Sequence, residues 1–100
     1  MMRFTKQWET TWKGHQITVR NWWDILLRTG EELLIDGVPM QQEDTWAKLS
    51  RDLHGQIVVD GKVHEVRVHV GSVDWGLKTG CHIFVDEELI GGDVDKKFVA

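Results

Sequence analysis

The chain has very little of the residues that build covalently held or metal-held scaffolds. Of its 100 residues, one is cysteine, one is proline and none is tyrosine. Cys81 alone cannot form an intramolecular disulfide, which excludes the disulfide-held scaffolds of small secreted proteins. The sequence has no Cys-x-x-Cys or His-x-x-x-His spacing that would place metal ligands together, so we predict no metal site.

Long apolar runs and an excess of positive charge are also missing. No segment approaches the eighteen or so apolar residues of a spanning helix, and residues 1–8 lack the apolar stretch of a signal peptide. Twelve Lys and Arg residues are scattered among sixteen Asp and Glu, for a net charge of -4. Such a chain has no extended positive electrostatic potential that would attract nucleic-acid phosphates or acidic lipids. We expect a cytoplasmic protein without nucleic-acid or membrane partners.

What the chain does have is an internal repeat. Residues 27–36 reappear as residues 77–86 without a gap, with four of the ten positions identical. If the second copy carries three extra residues, the repeat extends upstream and aligns Val19 with Val66. Two units, at about 14–43 and 61–93, are too few for an open stack of repeats. We therefore expect one domain, residues 1–100, in which one unit packs against the other with pseudo-twofold symmetry.

The pattern within each unit is that of β-strands. Asp60-Gly61 lies between two runs of alternating apolar residues, which is a strong hairpin signal. A two-residue turn pairs Ile57 with His64 and Leu53 with Val68 on one face, which we predict to be buried. His54 pairs with Arg67 on the other, polar face. These patterns predict an all-β fold, an antiparallel two-layer β-sandwich of seven to nine strands.

Three segments carry sequence signals that compete with a regular strand or a two-residue turn. Pro39 cannot donate to a strand ladder, so its strand should lie at an edge or end early. Asp86-Glu87 stands where the first unit has Asp36-Gly37, and the missing glycine favours a longer loop. Residues 21–29 could form one short helix capped by Asn21, as an alternative to a strand.

The residues whose side chains could take part in chemistry are better explained by structural roles. His64 should be a hydrogen-bonded histidine of the buried face, and His54 and His69 should belong to a solvated cross-strand cluster. Cys81 should be a small, unreactive core residue. The equivalent acids Asp24 and Asp74 lack the geometry of an acid-base pair. The chain also lacks a glycine-rich phosphate loop and a nucleophile elbow, so we predict no catalytic residue and no cofactor.

Tryptophan is the compositional outlier, supplying six of the nine aromatic residues. Trp8 and Trp12 should share a face, whereas Trp22 and Trp23 should point in opposite directions, leaving at least one exposed. Trp is a common anchor at interfaces and in sugar sites. Trp22, Trp23 and Trp75 are therefore the candidate interaction residues.

A family resemblance adds to this interpretation. Its residues are His15-Gln16-Ile17, Gly30, the run from Leu33 to Gly37, Trp46-Ala47-Lys48-Leu49 and Gly55-Gln56. In this order, over about half of the chain, they resemble the Fas apoptotic inhibitory molecule family. The resemblance implies a compact antiparallel β-sandwich that acts through protein contacts. This chain is shorter than the two-domained animal members and carries extra length at residues 21–25, and no functional residue carries over.

The leading functional hypothesis is a non-enzymatic protein-interaction domain, with self-association through the edge near residues 33–40 or through exposed Trp. The first alternative is a carbohydrate- or small-ligand-binding module that uses Trp22, Trp23 and Trp75. The second is a hydrolase built from His54, His64, His69 and Asp74.

Overall fold

The fold consists of eight β-strands. The computed structural model describes residues 3–24, 26, 28–46, 50–73 and 78–98, and no helix occurs among them. The strands are β1 (Arg3–Trp12), β2 (His15–Asp24), β3 (Arg28–Ile35), β4 (Val38–Trp46), β5 (Ser50–Val59), β6 (Lys62–Val73), β7 (Lys78–Val85) and β8 (Glu88–Gly92).

The strands form two antiparallel four-stranded meanders. Sheet A has the order β1-β2-β3-β4 and sheet B the order β5-β6-β7-β8. The predicted all-β, two-layer β-sandwich of two similar units is confirmed. The alternative helix over residues 21–29 is wrong. Asn21 lies in β2 with its side chain buried, and its amide donates to Gly30 O of β3 at 3.2 Å, so cross-strand contacts override the capping signal.

The turns follow the sequence signals with one exception. The predicted register of the β5–β6 hairpin is confirmed, including Ile57 opposite His64. The longer loop expected at Asp86-Glu87 is wrong, because the strands are joined by two residues with φ of 50° and 66°. The Asp86 carboxylate accepts hydrogen bonds from His64 Nδ1 at 2.6 Å and from Glu65 N at 3.0 Å, and these contacts hold the unfavourable backbone.

The core lies between the two sheets, because alternate residues of each central strand turn inward. Both sheets contribute to it, and Cys81 is fully buried there as predicted. The buried apolar residues of this core are Trp8, Ile17, Val19, Leu33, Ile35, Leu53, Ile57, Val66, Val68, Val70, Cys81, Ile83 and Val85.

The two sheets match residue by residue, although not with the alignment expected upstream. Val19 pairs with Leu33 in sheet A, and Val68 pairs with Ile83 in sheet B. The counterpart of Val19 is therefore Val68 rather than Val66. Equivalent residues lie two positions further from the turn in the β5–β6 hairpin than in the β1–β2 hairpin. A register shift follows Leu33 in one sheet and Ile83 in the other, so the same β-bulge occurs twice.

The sheets meet edge to edge at two places, β1 with β8 and β4 with β5, which we call the seams. At each seam one glycine lies close to the neighbouring strand, and the two glycines are not at equivalent positions. At the β1–β8 seam, a Cβ on Gly91 would come within 2.8 Å of Thr10 Cβ. At the β4–β5 seam, a Cβ on Gly55 would meet Ile35 Cδ1 at 3.1 Å and Met40 Cβ at 3.2 Å. Gly55 is the positional counterpart of Thr10, so the close approach is reciprocal.

Candidate functional site

The candidate tryptophans do not share a surface. Trp23 is 36% exposed, while Trp22, its neighbour in β2, is half-buried on the opposite face of the strand. The prediction that one of the pair is exposed is confirmed. Trp75 lies outside the described residues. Trp8 is buried and Trp12 packs against the core on the same face, so the described rings do not form a row.

Trp23 instead forms part of an aromatic surface at one end of sheet A. Its ring stacks on Phe4, with centroids 5.8 Å apart and an interplanar angle of 21°. Phe4 is 42% exposed, and Leu26, in the connection after β2, is 50% exposed. We call Phe4, Trp23 and Leu26 the aromatic end. Phe4 and Trp23 lie on the same face of sheet A as Trp8 and Val19, close to the ends of β1 and β2.

A fixed loop supports this end. Asp24, at the last position of β2, accepts hydrogen bonds from Leu26 N at 2.9 Å and from Arg28 N at 3.2 Å. Arg28 Nε also lies 2.9 Å from Asp24 Oδ2. Burial disfavours the charge on Asp24, but these hydrogen bonds outweigh it and hold the pKa of the carboxyl below its ordinary value. The short connection is thus held by an ionised side chain, which keeps Leu26 beside the end of β2.

Sequence reasoning missed Phe4, although the signal was present. The turn at Lys13-Gly14 joins β1 and β2 directly, and counting outward from a two-residue turn pairs Phe4 with Trp23. Cross-strand neighbours on one face lie close enough for their rings to touch. The same count places Trp22 on the other face.

A polar layer crosses the sandwich interior close to this end. Arg51 of sheet B places Nη1 2.7 Å from Glu31 Oε2 of sheet A, and less than a tenth of either side chain is exposed. Asn21 donates to Glu31 Oε1 at 3.2 Å. Lys6, the counterpart of Arg51 in sheet A, reaches the opposite way and donates to Thr79 O at 3.0 Å. The two cations therefore link the sheets in a reciprocal manner.

His64 and its counterpart His15 each bind a turn carboxylate. His64 Nδ1 lies 2.6 Å from Asp86 Oδ2, and His15 Nδ1 lies 2.6 Å from Asp36 Oδ2. In each case the hydrogen bond from histidine is the main cause that holds the pKa of the aspartate below its ordinary value. His64 is 7% exposed and contacts the Trp12 ring edge-on, so the predicted structural role is confirmed.

The other residues considered from the sequence are dispersed. His54 and His69 lie on the outer face of sheet B, away from His64, and Asp74 lies outside the described residues. Burial raises the pKa of the Cys81 thiol far above its ordinary value. Within the described ranges, no group of three or more His, Cys, Asp or Glu side chains is arranged to hold a metal ion.

A shallow groove opens along the β4–β5 seam. It has a volume of about 320 Å³ and is lined by Met40, His54, Gly55, Gln56 and Glu65. β4 lies at an edge of sheet A, as the proline predicts. The Gln41 side chain accepts a hydrogen bond from His54 N at 2.7 Å. This backbone N–H of the β5 edge is therefore already hydrogen-bonded within the domain.

Comparisons with known proteins give no assignment. No protein-family model, no curated protein and no solved structure matches this chain at a significant level. The resemblance to the Fas apoptotic inhibitory molecule family therefore stays a prediction. In the part of the chain that the structure describes, no helix has the length and apolar character needed to cross a membrane.

Proposed function

We propose that this domain is a non-enzymatic protein-interaction module of the cytoplasm that engages its partner through the aromatic end. The observation that carries the proposal is the stacked pair of Phe4 and Trp23, each more than a third exposed, with the exposed Leu26 three residues after Trp23 in the chain. Adjacent exposed apolar side chains on a folded domain commonly mark a contact surface, and aromatic residues supply much of the binding energy at interfaces.

Other features support this choice. His64 faces the core while His54 and His69 lie on the outer face of sheet B, an arrangement that does not assemble a shared acid-base site from these residues. The free thiol of Cys81, buried in the core, suits a reducing compartment. The proposal also agrees with the role that the family resemblance implies.

The experiment uses a pair of adjacent tryptophans as its internal control. The domain and its Trp23→Ala and Trp22→Ala variants serve as baits in quantitative affinity capture, and the affinity of the recovered partner is then measured. Trp23→Ala should weaken binding about thirty-fold, the effect of losing an anchor worth about 2 kcal/mol. Trp22→Ala, on the opposite face, should bind within a few-fold of the parent. Equal loss in both variants would contradict the assignment of this surface.

Two further measurements test the alternatives. Titration with oligosaccharides, followed by Trp fluorescence, should leave the emission unchanged, and saturable quenching removed by Trp23→Ala would favour the carbohydrate module instead. Sedimentation velocity tests a second copy as the partner. Self-association that Trp23→Ala abolishes would identify the aromatic end as a homodimer contact, whereas dependence on Val38 and Met40 would place the contact at the β4 edge.

A further inference from the structure

Residues 93–98 fold back over the outer face of sheet B, and we call them the closing segment. The Phe98 ring stands edge-on between two imidazoles. Its centroid lies 4.4 Å from that of His69, at an interplanar angle of 87°, and 4.7 Å from that of His82, at 73°. Edge-to-face contacts of this kind are favourable beyond simple area burial, so Phe98 occupies a shaped site rather than a flat face.

The walls of this site belong to the sheet. His69 and His82 are directly paired across β6 and β7, and Phe84 follows on the same face with its ring 6.2 Å from His82. Asp52 Oδ1 of β5 lies 2.7 Å from His69 Nδ1 and fixes the orientation of that ring. The Asp52 carboxylate thus orients the His69 ring, and strand pairing places His82 and Phe84 on the same face of the sheet. We call His69, His82 and Phe84 the cradle.

His82 also recognises main chain. Its Nε2 lies 2.9 Å from Asp93 O and 3.0 Å from Lys96 O. Both partners are carbonyl oxygens, which only accept, so Nε2 carries the proton and donates to the closing segment. The cradle thus binds one aromatic ring and the carbonyl groups a few residues before it. A peptide that carries an aromatic residue two positions after a turn like that of residues 93–96 offers the same two features.

Beyond Asp93 the closing segment lies outside the strands, and three of its five described residues are exposed. Asp93 itself is fixed, because its Oδ2 accepts hydrogen bonds from Trp8 Nε1 at 2.9 Å and from Cys81 N at 3.0 Å. The following residues lie outside the strands, Val94 is 54% exposed, and Lys96 N donates within the segment, to Asp93 O. Segments with few buried contacts open at a small fraction of the global free energy of unfolding.

The cradle is not a requirement of the fold. At the equivalent positions of sheet A stand Arg20 and Glu32, also directly paired, with Nη1 and Oε1 3.6 Å apart. We propose that His69, His82 and Phe84 form a binding site for a peptide segment that carries an aromatic side chain just after a turn, and that Phe98 occupies this site until such a peptide displaces it. This site lies on the outer face of sheet B and is separate from the aromatic end.

The test removes the Phe98 ring from the cradle without disturbing the strands. The Phe98→Ala variant is titrated with a capped peptide of residues 93–98, and the ring resonances of His69 and His82 are followed by NMR. Saturable shifts of both histidines are expected. The same peptide with Ala in place of Phe should bind at least ten-fold more weakly. The parent protein should also bind the Phe peptide at least ten-fold more weakly, because its own Phe98 competes.

Matched variants locate the response. In the Phe98→Ala background, His82→Ala should abolish binding, whereas Glu32→Ala at the equivalent position of sheet A should leave it unchanged. Absence of His69 and His82 shifts in Phe98→Ala at millimolar peptide would overturn the proposal. Shifts confined to Phe4 and Trp23 would also overturn it, while leaving the aromatic end as the protein-binding surface.

Discussion

Sheets A and B have the same strand order and similar turns, and two of their differences change the chemistry of the inner and outer faces. Both have four strands, the same bulge and a histidine bound to a turn aspartate. Inside, Glu31 of sheet A corresponds to Cys81 of sheet B. Outside, the ion pair of Arg20 with Glu32 corresponds to the pair of His69 with His82. The shared features are those that set strand register, whereas the differing features change the charge and the aromatic character of each face.

The interior difference has an energetic consequence. Glu31 needs the cation of Arg51 because less than a tenth of either side chain reaches solvent, whereas Cys81 in the equivalent position needs no charge partner. A buried carboxylate without its cation is costly, while an apolar pair in its place is often tolerated. Sheet A therefore depends on sheet B for charge compensation at this position.

The largest expected effect comes from removing one member of this pair. Arg51→Met should lower the free energy of unfolding by about 3–5 kcal/mol, because it leaves the Glu31 carboxylate buried. Adding Glu31→Leu should restore much of that loss, since the second sheet already tolerates an uncharged residue there. Urea unfolding of the two single variants and the double variant measures the coupling. Additive losses would show that the two side chains act independently.

The two seams should respond unequally to the same substitution. Gly91→Ala should lower stability by about 1–3 kcal/mol, the usual range for overpacking, because its Cβ would meet the branched Cβ of Thr10 at 2.8 Å. Gly55→Ala should cost less, because two of its three nearest atoms are the ends of the Ile35 and Leu33 side chains. Thermal unfolding of both variants tests the order. A larger loss for Gly55→Ala would mean that the β4–β5 seam is the tighter one.

Strand pairing was the part of the fold that could be predicted from the sequence. The register at Asp60-Gly61 follows from turn chemistry and alternation, both of which are local. The upstream alignment of Val19 with Val66 was wrong because a hairpin can lengthen by two residues without changing which face is buried. After such a change each side chain still points to the same face of the sheet, but the residues of the two hairpins no longer correspond one to one.

The candidate sites depend on contacts that local patterns do not encode. The partner of Trp23 is the exception, because counting outward from the Lys13-Gly14 turn pairs it with Phe4. Phe98 reaches His69 and His82 by a fold-back that no periodicity in residues 93–98 indicates. The ion pair of Glu31 with Arg51 joins different sheets, so it follows from packing rather than from either strand alone.

A smaller effect is expected at the turns. Gly37 has φ of 80°, whereas its counterpart Glu87 adopts φ of 66° with a side chain. Gly37→Ala should lower the free energy of unfolding by about 1 kcal/mol, the ordinary cost of a left-handed conformation with a Cβ. Equilibrium unfolding of this variant beside the parent gives the value. No loss would mean that the β3–β4 turn is as well supported as the β7–β8 turn.

The smallest effect concerns pH and should be alike in the two sheets. The hydrogen bonds from His15 and His64 hold the pKa values of Asp36 and Asp86 below 3.8. An aspartate with a lowered pKa stabilises the fold above its unfolded pKa of about 3.9, and this contribution is lost as pH falls through the lowered value. Asp36→Asn and Asp86→Asn should each lower stability at pH 6, and this loss should shrink as pH falls below 3.8. A loss that is the same at acid pH would point to lost turn geometry instead.

The most direct test of the paired, face-to-face sheets is a nuclear Overhauser spectrum of the labelled protein. The reciprocal packing predicts cross-peaks from the Thr10 methyl to the Gly91 α-protons and from the Met40 β-protons to the Gly55 α-protons, one set at each seam. It also predicts contact between the Trp12 and His64 rings, whose centroids are 4.8 Å apart across the sheets. If strong cross-peaks are seen within each sheet but none of these three contacts between the sheets is seen, the packing of the two sheets against each other would be contradicted.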